Sequence, residues 1–427
     1  MMQNAFAKNR SFWVQLGWGA LVGLLSALGT LLFVFLMNWG ISLVWPQKPD
    51  AEPFSGSVRI LVIMTAAGLV VGLIHHFFKA EMMDEFGAMV EGRLNYGPVP
   101  STLLVALVSL IGGFSVGPEV PTGLLGAGLG SWLSERRKLG VDLERSNVFS
   151  GILSAWGGLF TTPFATVVMP LELAHQQTPA YYAMLTVAAA ASVIGFSVFY
   201  AVGGNTFAGV LRILDLQDYS LKLWHLVLAI ALGVLGAVLA LIFGLLLRFF
   251  KRLAALLDNQ PIIRGTIGGF LLGLLGMALP LTLFLGTSGL KTVTEQGAQL
   301  GLALVIVMVF AKMVATTAAF STGFIGGPIF PLLFVGGAAG TAINLVFPSV
   351  PLALVVACLM AAVPGAMLPV PLALGVIVLF ITGIPATEAI PVFVAVLVAY
   401  GTTHGLGLLA RGSRKEQAHH AEKSSES

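Results

Sequence analysis

Apolar runs of about twenty residues or more recur along the whole chain, near 12–46, 60–78, 101–133, 148–174, 181–203, 222–247, 266–286, 300–320, 323–347, 351–381 and 388–410. A helix of about twenty apolar residues crosses roughly 30 Å of hydrocarbon, so the pattern predicts about ten to twelve membrane helices. Several runs exceed one crossing or are cut by Gly and Pro, which predicts steep tilts, hairpins and broken helices. The longest plainly polar segment is the tail GSRKEQAHHAEKSSES, 412–427. It is too short and too polar to bury a core and reads as disordered. The expected organisation is a single transmembrane domain over residues 1–427, with no soluble domain.

Composition sharpens this picture. Of 427 residues, 57% are hydrophobic and 10% charged, and the mean hydropathy is +0.94, too little charge to cover a soluble protein of this size. The N-terminal MMQNAFAKNR is basic and leads into a run too long for a cleaved signal peptide, so a retained first helix is expected. Basic residues cluster beside apolar runs: Lys8 and Arg10; Arg136, Arg137, Lys138 and Arg145; Arg248, Lys251 and Arg252; Arg411, Arg414 and Lys415. By the positive-inside rule these clusters mark cytoplasmic ends, which predicts a multi-pass protein of the cell (plasma) membrane with both termini inside. The loop QKPDAEPFSG (47–56) fits the opposite side. A net charge of +3 spread over such clusters is no sign of nucleic-acid binding. The one cysteine, Cys358, excludes an internal disulfide and a Cys-based metal cluster, and no cofactor is implied.

The most informative pattern is an internal repeat. GFSVGPEVPTGLLGAGLG (113–130) aligns without gaps on GFIGGPIFPLLFVGGAAG (323–340), matching Gly113/Gly323, Phe114/Phe324, Gly117/Gly327, Pro118/Pro328, Pro121/Pro331, Gly126/Gly336 and Gly130/Gly340. WGGLFTTPFA (156–165) echoes PGAMLPVPLA (364–373) at similar spacing. Two matched segments per half predict a duplication, with repeats over about 12–210 and 222–410. An odd number of spans per half would make the halves inverted, the arrangement favoured here. The fold class expected is therefore an all-α polytopic membrane protein of two inverted-topology halves with broken, re-entrant helices. Such halves point to a transporter or channel with a site near the bilayer midplane.

Neither GPEVP nor GGPIFP can be continuous helix, because proline lacks the N–H and clashes with the preceding turn. Proline does suit a first helical turn, so each motif reads as a turn followed by a helix that starts in mid-membrane. Irregular backbone survives at that depth only inside protein or beside a polar cavity. Unpaired N–H groups and the positive dipole end at such starts favour an anion. Glu119, between Pro118 and Pro121, then has a role: a tethered competitor for an anion site, swung out by protonation or by a free anion. The bland alternative is a cap on its own helix.

At these residues the chain resembles the CLC family of chloride channels and chloride/proton antiporters, and within it a divergent bacterial ion-transport branch. GPEVP (117–121) resembles the G-(K/R)-E-G-P signature that carries that family's gating glutamate, and GGPIFP (326–331) resembles its G-G-x-F-x-P anion-binding turn. SAWGGLFTTPFATVVMPLEL (154–173) resembles a further family helix at Phe160, Pro163, Ala165 and Glu172. The resemblance implies a homodimer with a pore in each subunit at the junction of inverted halves. Glu119 is then the outer gate, the N–H groups of Ile329 and Phe330 face the anion, and Gly117, Pro118, Val120, Gly326 and Gly327 complete the site. Departures are equally specific. Pro118 and Val120 replace a basic residue and a glycine, Pro328 removes another N–H, and Phe330 lies one place later than the family phenylalanine. The serine loop of the family has no counterpart, its place being taken by KAEMMDEFGAM (79–89), and no pore tyrosine is found near 384–391. Leu173 stands where antiporters carry their internal proton-accepting glutamate.

The remaining candidates read as structural. Glu172-x-x-His175 has the spacing of a carboxylate metal motif but lacks a second copy, so Glu172 reads as a structural intramembrane charge and no metal is expected. Lys312, inside VIVMVFAKMVATTAAF, reads as a snorkelling or paired structural charge, His75 and His76 as interfacial, and Trp13, Trp18, Trp39 and Trp45 as membrane-interface belts. The expected function is passive, electrogenic permeation of a small anion, chloride by default, gated by Glu119, in a lipid bilayer. The alternatives are a proton-coupled chloride antiporter of the same fold, or an intramembrane enzyme using Glu119 and Glu172. The enzyme lacks any supporting catalytic motif, so no enzymatic activity is expected.

Overall fold

A computed structural model describes residues 10–46, 55–78, 80–173, 176, 178–208, 213–216 and 219–405. The predicted polar tail, the basic residues at 8, 411, 414 and 415, and His175 lie outside these residues. Among the described residues the chain is helical throughout: α1 (Arg10–Val44), α2 (Val58–Phe78), α3 (Glu85–Glu91), α4 (Val99–Ile111), α5 (Glu119–Arg136), α6 (Val141–Leu159), α7 (Pro163–Leu173), α8 (Pro179–Ala208), α9 (Leu223–Ala254), α10 (Pro261–Ala278), α11 (Thr287–Glu295), α12 (Gly297–Leu300), α13 (Leu302–Ser321), α14 (Ile329–Val346), α15 (Leu352–Gly365), α16 (Pro371–Thr382) and α17 (Ile390–Gly405). Short 3₁₀ turns at Ala255–Leu257, Pro280–Thr282 and Ala386–Glu388 complete the order.

Among the described residues seven helices are long and apolar enough to cross a membrane: α1, α2, α8, α9, α10, α13 and α14. Five more, α4, α7, α15, α16 and α17, are apolar but only 10–17 residues long. The runs at 101–133, 148–174 and 351–381 are therefore not single crossings. Each is a pair of shorter helices, α4–α5, α6–α7 and α15–α16, parted where Gly and Pro interrupt the backbone ladder. At the other extreme, α1 has 35 residues and reaches about 52 Å, so it must tilt to keep its apolar length in hydrocarbon.

Packing follows a two-fold rule. In the first half α5 packs on α6, α6 on α8, and α1 on both α6 and α8; in the second half α14 packs on α15, α15 on α17, and α9 on both α15 and α17. Across the halves like meets like: α2 lies against α10, and α7 against α16. Equivalent elements meet one another at a two-fold axis, as in an isologous interface. The centre is dense and small-residued, α15 being buried along nearly its whole length from Ala353 to Gly365. Outer helices instead expose apolar rows, such as Val227, Ile230, Val234 and Val238 on α9. Their helical spacing makes one lipid-facing stripe.

Two small corrections concern aromatic and imidazole rings. Trp45 is not part of an interface belt: it is buried, and its indole Nε1 donates to the Ile111 carbonyl at 2.8 Å, closing the C-terminal end of α4. His75 is half-buried rather than simply interfacial, with Nδ1 at 3.0 Å from the Ala80 carbonyl and Nε2 at 2.7 Å from the Gly323 carbonyl.

Candidate functional site

The two broken segments are built alike. After α4 the chain turns through Gly113 at φ +87° and restarts as α5 at Glu119, with Pro118 at the helix boundary. After α13 it turns through Gly323 at φ +100° and restarts as α14 at Ile329, with Pro328 at the boundary. Both glycines hold left-handed backbone that other residues rarely adopt. The segments then meet. Phe114 stacks on Phe324 with ring centroids 3.6 Å apart. Gly117 N–H donates to the Gly327 carbonyl at 2.8 Å, and Gly327 N–H returns a bond to the Gly117 carbonyl at 2.7 Å. Ser115 Oγ lies 2.8 Å from Thr316 Oγ1, and Ile325 N–H reaches Ser109 Oγ at 3.3 Å. Two helix starts are thus brought to one point in the protein interior.

Glu119 occupies that point. Its side chain is 1% exposed, and Oε1 accepts a 2.7 Å hydrogen bond from the backbone N–H of Ile329, the residue that matches Glu119 in the other repeat. The N–H groups of Phe330 and of Glu119 itself face the same carboxylate, while Oε2 has no hydrogen-bond partner. The pocket exists because both bridging residues are glycines: a Cβ at Gly117 or Gly327 would collide with the carboxylate. Trp156 fixes the helix start from behind, Nε1 donating to the Glu119 carbonyl at 2.8 Å. Phe160 and Phe330 stack beside it at 5.9 Å, making an apolar wall. Helix-start amides in so dry a place suit a negatively charged group, which an ionised Glu119 carboxylate would be.

The other sequence candidates separate into distinct roles. Ile329 and Phe330 present N–H groups to the carboxylate. Gly117 and Gly327 spend theirs on one another, so they shape the site rather than donate to it. Pro118 has no N–H and, like Val120 and Gly326, serves the backbone path; a Cβ at Gly326 would meet the Val116 side chain at 2.6 Å. Glu172 lies elsewhere, its two oxygens accepting the N–H groups of Leu372 (2.7 Å) and Ala373 (3.0 Å) at the start of α16. Lys312 is fully buried, with Nζ bonded to the carbonyls of Thr282 (2.9 Å) and Phe284 (2.8 Å) and 5.3 Å from the Phe334 ring centroid. Those carbonyls belong to the tight turn after α10, where Phe284 has φ +57°. No group of three or more His, Cys, Asp or Glu able to hold a metal occurs among the described residues.

Sequence reasoning missed two residues near this centre. Trp156 reads as one aromatic among many. Glu85 sits in the stretch searched for a serine, yet it is buried to 7% exposure at the head of α3, a helix packed against α5.

Comparison with known proteins agrees with this architecture. The family described as Voltage gated chloride channel matches residues 67–404. Relatives named "Putative ion-transport protein YfeO" from Salmonella newport and Salmonella agona are 26% identical over 331 residues, covering 74% of this chain and 76% of theirs. Among solved structures, a slow cyanobacterial chloride/proton antiporter superposes with a TM-score of 0.75 at 20% identity, covering 94% of this chain and 99% of its own. A CLC-type fluoride/proton antiporter gives 0.69 at 21% identity, covering 91% and 93%. At those identities the structures speak for the fold, while the family match takes in both broken segments and the helices around them. The chain belongs to the voltage gated chloride channel (CLC) family.

Proposed function

We propose that this protein carries a small anion, chloride by default, across the cell membrane, with Glu119 as the gate. The observation that carries the reading is the bond from Ile329 N–H to Glu119 Oε1. An amide that binds a tethered carboxylate inside protein offers the same charge-assisted bond to a free anion, and the two compete for it. Neutralising or displacing the carboxylate frees Ile329 and Phe330, and the chain need only rotate one side chain to open the site. Glu172 and Lys312 are structural in this reading, since every polar atom they present is taken by backbone. The working unit is a homodimer with one pathway per subunit, its termini on the cytoplasmic side, as expected for the family.

Passive permeation follows from Leu173 in place of an internal acid. The proton-coupled reading is favoured by one feature of the site, the unpartnered Oε2, which is free to take a proton without breaking the bond at Oε1. One experiment separates them. Purified protein in liposomes loaded with chloride is followed with chloride and pH electrodes together. Chloride release without proton movement means a channel, and a fixed ratio means exchange; no flux of chloride, fluoride, nitrate or bromide overturns the proposal. Glu119→Gln should raise flux at neutral pH and remove the gate's share of the pH dependence, and a profile identical to wild type would end the gate assignment.

A further inference from the structure

Glu85 belongs to the seven-residue α3, whose head points into the protein while its far end lies near the Arg93–Glu144 pair at 3.5 Å. Helix α3 packs against α5, α6 and α7, the helices that surround Glu119. Phe86 packs on Trp156 with centroids 5.6 Å apart, and Trp156 in turn holds the Glu119 carbonyl. Helix α3, with the buried Glu85 at its head, is therefore one aromatic layer away from the gate, on the side of the basic cluster at Arg136–Arg145.

Its surroundings are unusual for a buried acid. Among the described residues no side-chain hydrogen bond or ion pair engages the carboxylate, while Asp84 beside it in the chain and Glu119 on α5 are acids whose negative charge opposes its own. On α7 the carboxylate of Glu172 is turned away to cap α16, and on α6 Glu144 pairs with Arg93. Among the described residues no cation pairs with Glu85. An ionisable group kept in a membrane interior without a partner is costly, and such groups mark ion or proton paths. Its neighbour Asp84 is exposed, so the stretch connects the gate region to the surface.

We propose that Glu85 is a second proton-binding site on the anion pathway, coupled to Glu119 and lying between it and the basic-cluster side of the membrane. A charged Glu85 repels an approaching anion, so an anion passes when Glu85 carries a proton; the same charge disfavours ionisation of Glu119, an opposing effect on the gate that is absent once Glu119 is replaced. The proton comes from solution through the exposed stretch at Asp84 and returns there; no other bond is made or broken. Two interacting acids titrate as a pair, so the gate's behaviour depends on the state of Glu85. The inference rests on the anion-pathway reading above.

The test uses the full-length protein in liposomes, with chloride efflux measured at a series of pH values. In Glu119→Gln the gate is gone, and flux should still fall as pH rises because Glu85 ionises. In Glu85→Gln/Glu119→Gln that fall should vanish, while Glu85→Asp/Glu119→Gln keeps it. An already flat profile in Glu119→Gln, or an unchanged slope in the double variant, overturns the proposal and leaves the gate reading intact. No anion flux in wild type overturns both. As a readout independent of flux, pH-difference infrared spectra of Glu119→Gln should contain a protonated-carboxyl band that single Glu85→Gln also removes from the wild-type spectrum. Its persistence in Glu85→Gln counts against the proposal even if the double variant does not fold.

Discussion

Gly327 and Lys312 behave differently under substitution. Gly327 does not have positive φ, and the atoms nearest to a Cβ placed there are those of the Glu119 side chain. Gly327→Ala should push that carboxylate off Ile329 N–H and raise chloride efflux at neutral pH toward the Glu119→Gln level, measured on protein shown to be monodisperse. A rate no higher than wild type would mean that the carboxylate does not block the path. Lys312 serves carbonyls rather than ions. Lys312→Met leaves the Thr282 and Phe284 carbonyls without their donor in a dry interior, at a cost of about 2–4 kcal/mol. The expected result is a lower unfolding temperature in detergent with the pH profile of flux retained.

At the scale of elements, the chain places acids of the first half on helix starts of the second. Glu119 does so at α14 and Glu172 at α16. The second case is a cap supplied from 200 residues away. Glu172→Ala should cost about 1–2 kcal/mol, as loss of a helix cap does, and shift thermal unfolding without moving the pH dependence of flux. A changed pH profile would instead put Glu172 on the pathway. Much of this was legible in the sequence. Gly-Pro spacing exposed the two interrupted helices, and a gapless register of 210 residues set Glu119 opposite Ile329 before any coordinates. Other features were not, for physical reasons. KAEMMDEFGAM mixes three acids with apolar residues at no clear period, so nothing in it marks which acid is buried; the packing of α3 against α5 buries Glu85. Trp45 has an interface residue's chemistry, yet the free carbonyl at the end of α4 draws it inward. Likewise, hydropathy cannot divide 351–381, because α15 and α16 are equally apolar and only local backbone geometry parts them.

For the whole molecule, the two-fold arrangement and the placement of charge make a prediction about orientation. α5 and α9 both end in basic residues, Arg136 and Lys251–Arg252. The positive-inside rule puts these ends, and with them the chain termini, in the cytoplasm. A green fluorescent protein fused after the last residue should fluoresce, and an alkaline phosphatase fused there should be inactive; the reverse pattern would invert the proposed topology. The reciprocal Gly117–Gly327 bonds have a last consequence. Because those two bonds are made of main chain alone, they hold whatever side chain stands at the helix starts beside them, and there the two repeats differ. A carboxylate at Glu119 has an isoleucine for its mirror image, since a second acid at 329 would confront the first across the axis with room and amides for only one. Architecture of matched halves thus hosts chemistry of a single hand: duplication supplied the chamber twice over, and mutual repulsion allows it one tenant.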